Sequence, residues 1–372
     1  DWSSDVCSSD LIFVAVVKQS GIFEYIAIKT AKIAKGNPWT IMVLFCIITA
    51  VLSAFLDNVT TVLLVGPVTF TVCKMLKMTP VPYFIVEIMA SNIGGTATLI
   101  GDPPNIMIGM QAGLTMLDFI VYNGPAIVLI MVAAIAMFYV LYGKNMSATS
   151  DEMESIMHLH AHEAITDKGL FHKSVAMTII VALAFVFHSV IGVEPSVVAL
   201  TAAAIMLIIS SAEIEKVLLD VEWATIGFFA GLFIVVGGLV ETGVIDMLAN
   251  GLIDITGGDV MITIIVLVWA SAIISSFLDN IPMVATLIPI ILAIGNTGVD
   301  VMPYWWAISL GACIGGIGTQ IGASANVVLS GMSKSYGYPI TFMEYTKIAF
   351  PMMLVFTAIS CAYLVLRFCV FV

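Results

Sequence analysis

The chain has 372 residues, of which 60% are hydrophobic and 10% are charged, and its mean hydropathy is +1.11. A soluble domain is about half apolar and about a quarter charged, so this composition excludes an ordinary soluble fold and requires a lipid bilayer as the solvent. The net charge of −12 argues against a nucleic-acid partner, which would select basic surfaces. The six cysteines show no CxxC or Cys/His metal spacing, so we expect no metal site and no cofactor.

Residues 1–10 differ from everything that follows. They are rich in Ser and Asp and lack the positively charged region that begins a signal peptide. They resemble a translated sequencing adapter, so we interpret residues 1–10 as a non-native leader and leave them out of the predicted fold.

Long apolar runs follow, separated by short clusters of Gly, Pro, Asn and Asp. A membrane crossing needs about 20 residues, so the runs 39–78 and 258–298 are too long for one helix and predict two spans or one re-entrant hairpin each. Glycine-rich stretches interrupt 82–112 and 303–336, which predicts two broken helices. The predicted spans are 11–19, 39–78, 82–112, 117–142, 173–190, 194–211, 222–241, 258–298, 303–336 and 345–371.

Two motifs occur twice, which indicates an internal repeat. Residues 53–58, Ser-Ala-Phe-Leu-Asp-Asn, match 275–280 at an offset of 222 residues. Residues 93–101, Ile-Gly-Gly-Thr-Ala-Thr-Leu-Ile-Gly, match 314–322 at an offset of 221 residues. The nearly constant offset predicts a duplicated all-α membrane fold.

The duplication divides the chain into a first repeat at 11–142, a polar loop at 143–172 and a second repeat at 173–372. Residues 173–232 have no counterpart in the first repeat, so we expect about 60 residues to be missing from it. If each hairpin counts as no crossing and each broken helix as one, nearly all lysines fall on one side, which the positive-inside rule assigns to the cytoplasm. This predicts a plasma (inner) membrane protein with a cytoplasmic loop at 143–172 and two repeats of inverted topology.

The Leu-Asp-Asn sequence in each predicted hairpin places polar groups at membrane depth. Asp57 and Asn58, followed by Thr60, lie between apolar runs, as do Asp279 and Asn280. A carboxylate there costs several kcal/mol unless it faces water, an ion or a partner, and a break in the helix frees backbone groups as further ligands. We therefore predict ion or substrate binding at these residues. The alternative is an ordinary surface loop in which Asp and Asn cap a helix.

A second element, residues 91–105, cannot continue as a regular helix. Its glycines and the Asp-Pro-Pro sequence at 102–104 disfavour helix, and irregular backbone at this depth is tolerated only where it lines a cavity or is buried in protein. The second copy has Ala-Ser-Ala at 323–325 instead, so the additional acid lies on one side only. The alternative is a proline kink used for packing. The predicted binding residues of the two copies are Asn92, Gly94, Gly95, Thr96, Thr98, Gly101, Asp102, Asn105, Gly315, Gly316, Thr319 and Asn326.

Two carboxylates of the first repeat are candidates for moving protons. Asp102 precedes Pro103 in backbone that cannot be regular helix, and burial penalises the charged form of a lone carboxylate, so we expect it to take up a proton or cation during transport. The alternative is that Asp102 only caps the following helix. Glu87 lies one helical turn before Ser91, where it either relays protons or lies at the cytoplasmic water boundary.

The Phe-Leu-Asp-Asn and Ser-Asn-Ile-Gly-Gly-Thr-Ala-Thr-Leu-Ile-Gly-Asp-Pro-Pro-Asn elements resemble the arsenite-permease/NhaD-type branch of the ion transporter superfamily. That branch includes citrate-transporter-like permeases and the melanosomal P protein. The resemblance implies an inverted-repeat fold with a scaffold domain and a transport domain, commonly in a homodimer with elevator motion. It places hairpin tips at 57–58 and 279–280, and broken-helix sites at 92–105 and 315–326.

The expected function is secondary active transport, not enzymatic catalysis. The sequence has no GxxxxGK[ST] phosphate loop, so coupling is expected from protons or sodium ions. Three substrates remain open: sodium in exchange for protons, arsenite or antimonite, and an organic anion such as citrate or a dicarboxylate. Neither motif contains Arg or Lys, although bound sodium or helix N-termini can replace a basic residue. A passive channel and an intramembrane aspartyl protease are the alternatives from other classes.

Overall fold

The structure is a computed structural model that describes residues 13, 16–17, 19–146, 148–158, 161–165, 167–193, 195–210 and 223–370. These residues form helices and no β-strand, which confirms the predicted all-α class. The expected leader at 1–10 lies outside the described residues, as does most of the predicted span 11–19.

The first repeat contains seven described α-helices before the polar loop. They are α1 (Ile22–Ile33), α2 (Pro38–Ser53), α3 (Asn58–Met75), α4 (Val81–Gly95), α5 (Pro103–Ala112), α6 (Met116–Tyr122) and α7 (Gly124–Leu141). The loop contains 3-10 turns at Gly143–Asn145 and Ala161–Ala164 and the short helix α8 (Ser150–Met157).

The second repeat follows with nine described α-helices. They are α9 (Lys168–Ile191), α10 (Pro195–Ser210), α11 (Trp223–Glu241), α12 (Val244–Thr256), α13 (Val260–Ser275), α14 (Asn280–Gly295), α15 (Met302–Gly315), α16 (Ser324–Ser335) and α17 (Phe342–Val365). A π turn at Leu366–Val370 extends α17.

The length and composition of several helices suit a membrane. Within the described ranges, four helices are long and apolar enough to cross a bilayer, and the number rises to six if each of two bent helix pairs is one span. The helix α7 shows the pattern well, because Val128, Leu129 and Val132 on its surface are more than half exposed and would face lipid. The chain is therefore a multi-pass membrane protein.

Two helical hairpins have the repeated Leu-Asp-Asn sequence at their tips. In the first, α2 ends at Ser53 and α3 begins at Asn58; in the second, α13 ends at Ser275 and α14 begins at Asn280. The incoming arm of each hairpin packs on the broken helix of its own repeat, α2 on α4 and α13 on α15. The outgoing arms contact both repeats, because α3 packs on α4 and α16 and α14 packs on α15 and α5. This packing brings both tips to the contact between the repeats.

The broken helices pair as α4 with α5 and α15 with α16. The incoming arms approach them closely through Gly94 and Gly315: a Cβ atom on Gly94 would lie 2.1 Å from the carbonyl oxygen of Ala50, and one on Gly315 would lie 2.4 Å from that of Ala272. Any other residue at these two glycines would push the helices apart. The close approach therefore fixes the position of each break relative to its hairpin.

The region after the first broken helix differs from the predicted single span at 117–142. Helix α6 begins at a capping box, in which Thr115 and Asp118 bond to each other's backbone N–H groups, and it is bent by 111° from α5. A new helix, α7, starts at Gly124-Pro125. The cap and the proline divide the apolar run, which hydropathy alone does not detect.

Candidate functional site

Four helix N-termini meet at the centre of the two repeats. The side chains of Asn58, at the start of α3, and Asn280, at the start of α14, both bond to Asp102, which precedes α5. The backbone N–H of Asn280 also donates to the carbonyl of Gly322, two residues before α16 begins. Helix N-termini carry partial positive charge, so this centre favours negative groups.

Asp102 lies at this centre with its side chain fully buried. The Nδ2 group of Asn280 donates to both carboxylate oxygens, at 3.1 Å to each, and Nδ2 of Asn58 donates to Oδ1 at 3.3 Å. The Asp102 side chain makes no capping bond to the backbone of α5. No lysine, arginine or histidine in the described ranges forms an ion pair with it.

Asp57 and Asp279, the other two carboxylates at the predicted hairpin tips, cap helices. Asp57 accepts from the backbone N–H of Thr60 at 2.9 Å and from the Thr60 hydroxyl. Asp279 accepts from the backbone N–H of Ile281 at 3.0 Å and from the Ser324 hydroxyl at 3.0 Å. Both are half-buried N-caps of the outgoing hairpin arms. The asparagine that follows each of them is the residue that contacts Asp102.

Each break is filled by one asparagine of its own repeat. Asn105 donates through Nδ2 to the carbonyls of Thr98 at 2.8 Å, Thr96 at 3.2 Å and Gly95 at 3.5 Å. Asn326 donates to the carbonyls of Gly316 and Thr319, both at 2.8 Å. These bonds satisfy carbonyls that the interrupted helices leave without partners. The two breaks therefore share one internal arrangement.

The threonines and glycines of the motifs also bond within the protein. Thr98 donates its hydroxyl to the carbonyl of Ala54 at 2.5 Å, and Thr319 donates to that of Ser276. The Thr96 hydroxyl donates to the carbonyl of Asn92 at 2.7 Å. The backbone approaches itself at the remaining glycines, because a Cβ atom on Gly95, Gly101 or Gly316 would lie less than 3.0 Å from a carbonyl oxygen. These residues shape the break instead of presenting side chains to a ligand.

Hydrogen bonds between buried side chains connect the repeats. Asn92 donates to Oδ1 of Asn326 at 2.9 Å and accepts from Asn58 at 3.3 Å. In the opposite direction, the Ser309 hydroxyl donates to Oδ1 of Asn105 at 2.6 Å. Asn123 in turn donates to Ser309 at 2.8 Å and to the carbonyl of Thr96 at 3.0 Å. Sequence reasoning did not find Ser309 or Asn123, which lie outside both motifs.

Glu87 lies apart from this centre, on α4, with 1% of its surface exposed. It accepts a hydrogen bond from the Thr69 hydroxyl of α3 through Oε1, and Oε2 has no partner in the described part of the chain. The equivalent position in the second repeat is Ile308. The first repeat thus holds two deeply buried acids, Asp102 and Glu87, at positions where the second repeat has apolar residues.

The donor set of the centre suits a hard monovalent cation or a proton better than a transition metal. The described residues contain no group of three or more His, Cys, Asp or Glu side chains able to hold a metal ion. The one buried carboxylate, which accepts hydrogen bonds from the amides of Asn58 and Asn280, offers oxygen ligands and a single negative charge. Cys313 is the one nearby thiol in the described ranges, with Sγ at 3.6 Å from Oδ1 of Asn105.

Known proteins resemble this chain along most of its length. The CitMHS family model, described as citrate transporter, matches residues 11–311. A Mycobacterium tuberculosis protein named an uncharacterized transporter is 44% identical over 363 residues, covering 96% of this chain and 84% of that protein. The P protein of Homo sapiens is 31% identical over 434 residues, covering 95% of this chain and 52% of the P protein, so the chain spans about half of that relative.

A solved transporter structure has a similar fold. The Alcanivorax borkumensis YdaH transporter, whose structure is described as having an unusual topology, superposes with a TM-score of 0.67 at 14% identity. The match covers 96% of this chain and 84% of that chain. At this identity the likeness shows a shared fold alone.

Proposed function

This chain belongs to the citrate transporter family, CitMHS, and is a membrane transporter, and we propose that it couples solute movement to protons or sodium ions through the carboxylate of Asp102. The proposal rests on one observation. Asp102 is fully buried between the two hairpin tips, and no basic side chain in the described ranges pairs with it. The proposed class is therefore secondary active transport.

The charged carboxylate of Asp102 is buried, so a bound cation would stabilise it. The amides of Asn58 and Asn280 and the nearby helix N-termini reduce the cost of the negative charge without cancelling it. A proton or a sodium ion would cancel it, and its release would restore the charge on the other side of the membrane. Binding and release of a cation at Asp102 is the proposed coupling step.

Sodium in exchange for protons is the substrate pair that this donor set supports best. The centre has one buried carboxylate and, within the described ranges, no buried Lys, Arg or His. The same arrangement accommodates arsenite or antimonite efflux only through oxygen contacts, because Cys313 is a single thiol and capture of arsenic by three thiolates needs three. The arsenite-permease/NhaD-type resemblance supports both proposals.

An organic anion is the second candidate substrate, favoured by two observations. The matching family is described as citrate transporter, and four helix N-termini converge on the centre. A di- or tricarboxylate would bind at those N-termini while a sodium ion or proton neutralises Asp102. In this version the cation and the anion travel together.

Further proposals concern a second proton-carrying residue, the motion of the repeats and the location of the protein. Glu87 is proposed as a second proton-carrying group, since its carboxylate is buried without a cation partner in the described part of the chain. The repeats are proposed to move as a transport domain in an elevator-type cycle within a homodimer. The plasma (inner) membrane, with loop 143–172 on the cytoplasmic side, is the proposed location, supported by the distribution of lysines.

Flux measurements on purified protein in liposomes test the proposal. Vesicles with an imposed pH or sodium gradient are offered radiolabelled sodium, citrate or arsenite in turn, with protein-free vesicles as the control. We expect one solute to accumulate against its own gradient, driven by a proton or sodium gradient. Equilibration of an ion without accumulation, in every gradient, would instead identify a passive channel.

A further inference from the structure

The break between α4 and α5 determines where Asp102 lies. Helix α4 ends at Gly95 and residues 96–101 leave the helix. Asn105 holds this segment through hydrogen bonds from its Nδ2 group to the carbonyls of residues 95, 96 and 98. Asp102 follows directly on this segment. The orientation of the Asn105 amide therefore sets the backbone path that ends at the buried carboxylate.

Asn105 is itself oriented from the second repeat. Its Oδ1 accepts a 2.6 Å hydrogen bond from the Ser309 hydroxyl of α15. A serine hydroxyl has one proton to donate. Because the Ser309 oxygen accepts a hydrogen bond from Asn123 at 2.8 Å, the Ser309 proton is directed at Asn105. All three side chains are fully buried, so water does not replace a lost bond at low cost.

The second break is held in a different way. Oδ1 of Asn326 accepts directly from the amide of Asn92 at 2.9 Å. The first-repeat position equivalent to Ser309 is Ile88, which has no hydroxyl. The residue of the second repeat that is equivalent to Asn92 is Cys313. Its thiol, a weak donor, lies 3.6 Å from Asn105 at the first break. The chain from Asn123 through Ser309 thus occurs at the break that carries the acid.

We propose that Ser309 and Asn123 are positioning residues for cation binding at Asp102. They act on the segment 95–101 through Asn105, and Asn123 also acts through its bond to the carbonyl of Thr96. This inference rests on the proposed function, in which Asp102 binds the coupling cation. In the described part of the chain neither residue is hydrogen-bonded to Asp102. The other titratable groups close to that carboxylate are Cys313 on α15 and, at the hairpin tips, Asp57 and Asp279.

The first variant is Ser309→Ala, which removes the hydroxyl and little volume. Its matched control is Ser360→Ala on α17, because Ser360 is also fully buried and donates to the carbonyl of Phe356 at 3.0 Å, within its own helix. Hydrogen exchange of the amides in residues 95–101 reports the break directly, and flux in liposomes reports the affinity for sodium ions or protons.

We expect Ser309→Ala, and not Ser360→Ala, to speed exchange in residues 95–101 by about tenfold and to weaken the apparent cation affinity by roughly three- to tenfold, the usual range for one lost hydrogen bond. The maximal rate should stay within about twofold, because Asp102 itself is unchanged. Equal thermal stability of the two serine variants separates positioning from general loss of structure. Unchanged exchange in Ser309→Ala would overturn the proposal.

Asn123→Ala provides a second, independent test. Because Asn123 acts partly through Ser309 and partly through its own hydrogen bond to the carbonyl of Thr96, the double variant should weaken cation affinity by less than the two single effects multiplied together. Fully additive effects would overturn the proposed chain. If the parent protein shows no cation-dependent flux while exchange at 95–101 still responds to Ser309→Ala, the coupling role of Asp102 fails and the positioning of the break stands. Faster exchange without any change in the cation affinity of a coupled parent protein overturns the functional part.

Discussion

The two helix breaks share a backbone and differ in their charge. Asn105 and Asn326 bond to equivalent carbonyls, and Thr98 and Thr319 bond to equivalent carbonyls at the hairpin tips. The residue after the last glycine is Asp102 in the first break and alanine in the second. Both are fully buried and both have extended backbone just before a helix. The two repeats therefore share one arrangement of hairpin tip and helix break, which we call the frame, and the acid is present in the break of the first repeat.

This difference assigns separate roles to glycines, asparagines and acids. Gly94 and Gly315 serve the frame, because each permits the same contact between a hairpin arm and a broken helix. Asn58 and Asn280 come from opposite repeats but bind the same carboxylate. A pseudo-symmetric frame around one acid is consistent with the single cation-binding centre proposed above. Substitutions that compare equivalent positions of the two repeats test this proposal.

Asp102→Asn should produce the largest effect, since it removes the charge while keeping the size of the side chain. We expect gradient-driven flux to fall by about 100-fold or more, because several kcal/mol of cation attraction is lost. Asp118→Asn is the control, because Asp118 lies in the first turn of α6 and accepts from the backbone N–H of Thr115, a bond that the amide oxygen of Asn can also accept. Near-normal, pH-dependent flux from a well-folded Asp102→Asn protein would show that Asp102 does not bind the coupling cation.

Asn280→Ala and Asn58→Ala should rank in that order. Asn280 donates to both oxygens of Asp102, whereas Asn58 donates to one and shares its amide with Asn92. Hydrogen bonds to a charged carboxylate favour the charged form, so their loss should tighten cation binding and slow release. We expect about a tenfold change in apparent affinity for Asn280→Ala and about threefold for Asn58→Ala. Equal or reversed effects in the flux assay would argue against Asp102 as the shared acceptor.

Gly94→Ala and Gly315→Ala test the frame, and here the repeats should behave alike. An added methyl group would lie 2.1 Å or 2.4 Å from a carbonyl oxygen, so each helix pair must separate. Overpacking of this kind costs about 1–3 kcal/mol, which should lower the thermal unfolding temperature in detergent. Gly331→Ala on α16 is the control, because nothing lies within 4 Å of its added methyl. A stable Gly94→Ala protein would mean that the close approach is dispensable.

The sequence predicted the frame well and the long-range contacts poorly. The repeated Leu-Asp-Asn and Gly-Gly motifs indicated an all-helical membrane fold, because both are local signals of helix ends and close backbone approach. The partners of Ser309, however, are 186 and 204 residues away in the sequence, and no local pattern announces them. A buried serine on an apolar helix looks like any other small residue there.

The hairpin tips illustrate a second kind of limit. Asp57 and Asn58 are adjacent, and the sequence alone does not determine which side chain caps the helix and which faces the centre. The direction depends on how α3 packs against α4 and α16, which is a property of the assembled fold. We predicted both residues as binding residues. The structure directs the asparagine to Asp102 and the aspartate to its own helix, and their roles in binding stay predictions.

Glu87→Gln should have the smallest effect, because Gln copies the shape of a protonated Glu. The Glu87 carboxylate is buried and has one hydrogen bond, from Thr69, and the titratable groups near it are Cys46, Cys73 and Tyr83, none of which is basic. An uncompensated charge there would be costly, so the neutral form is favoured while the site is closed to water. We therefore expect stability within about 1 kcal/mol of the parent and flux at neutral pH within about threefold.

The informative measurement for Glu87→Gln is the pH dependence of the maximal rate. If Glu87 carries a proton in each cycle, Gln cannot release one, and the part of the pH profile that depends on Glu87 should disappear while the part set by Asp102 remains. Thr69→Val is the matched variant, because it removes the hydrogen bond and leaves the acid in place. An unaltered profile in Glu87→Gln would exclude Glu87 as a proton carrier in the cycle. Since the second repeat has Ile308 there, that outcome would leave Asp102 as the one acid of this comparison with a part in coupling.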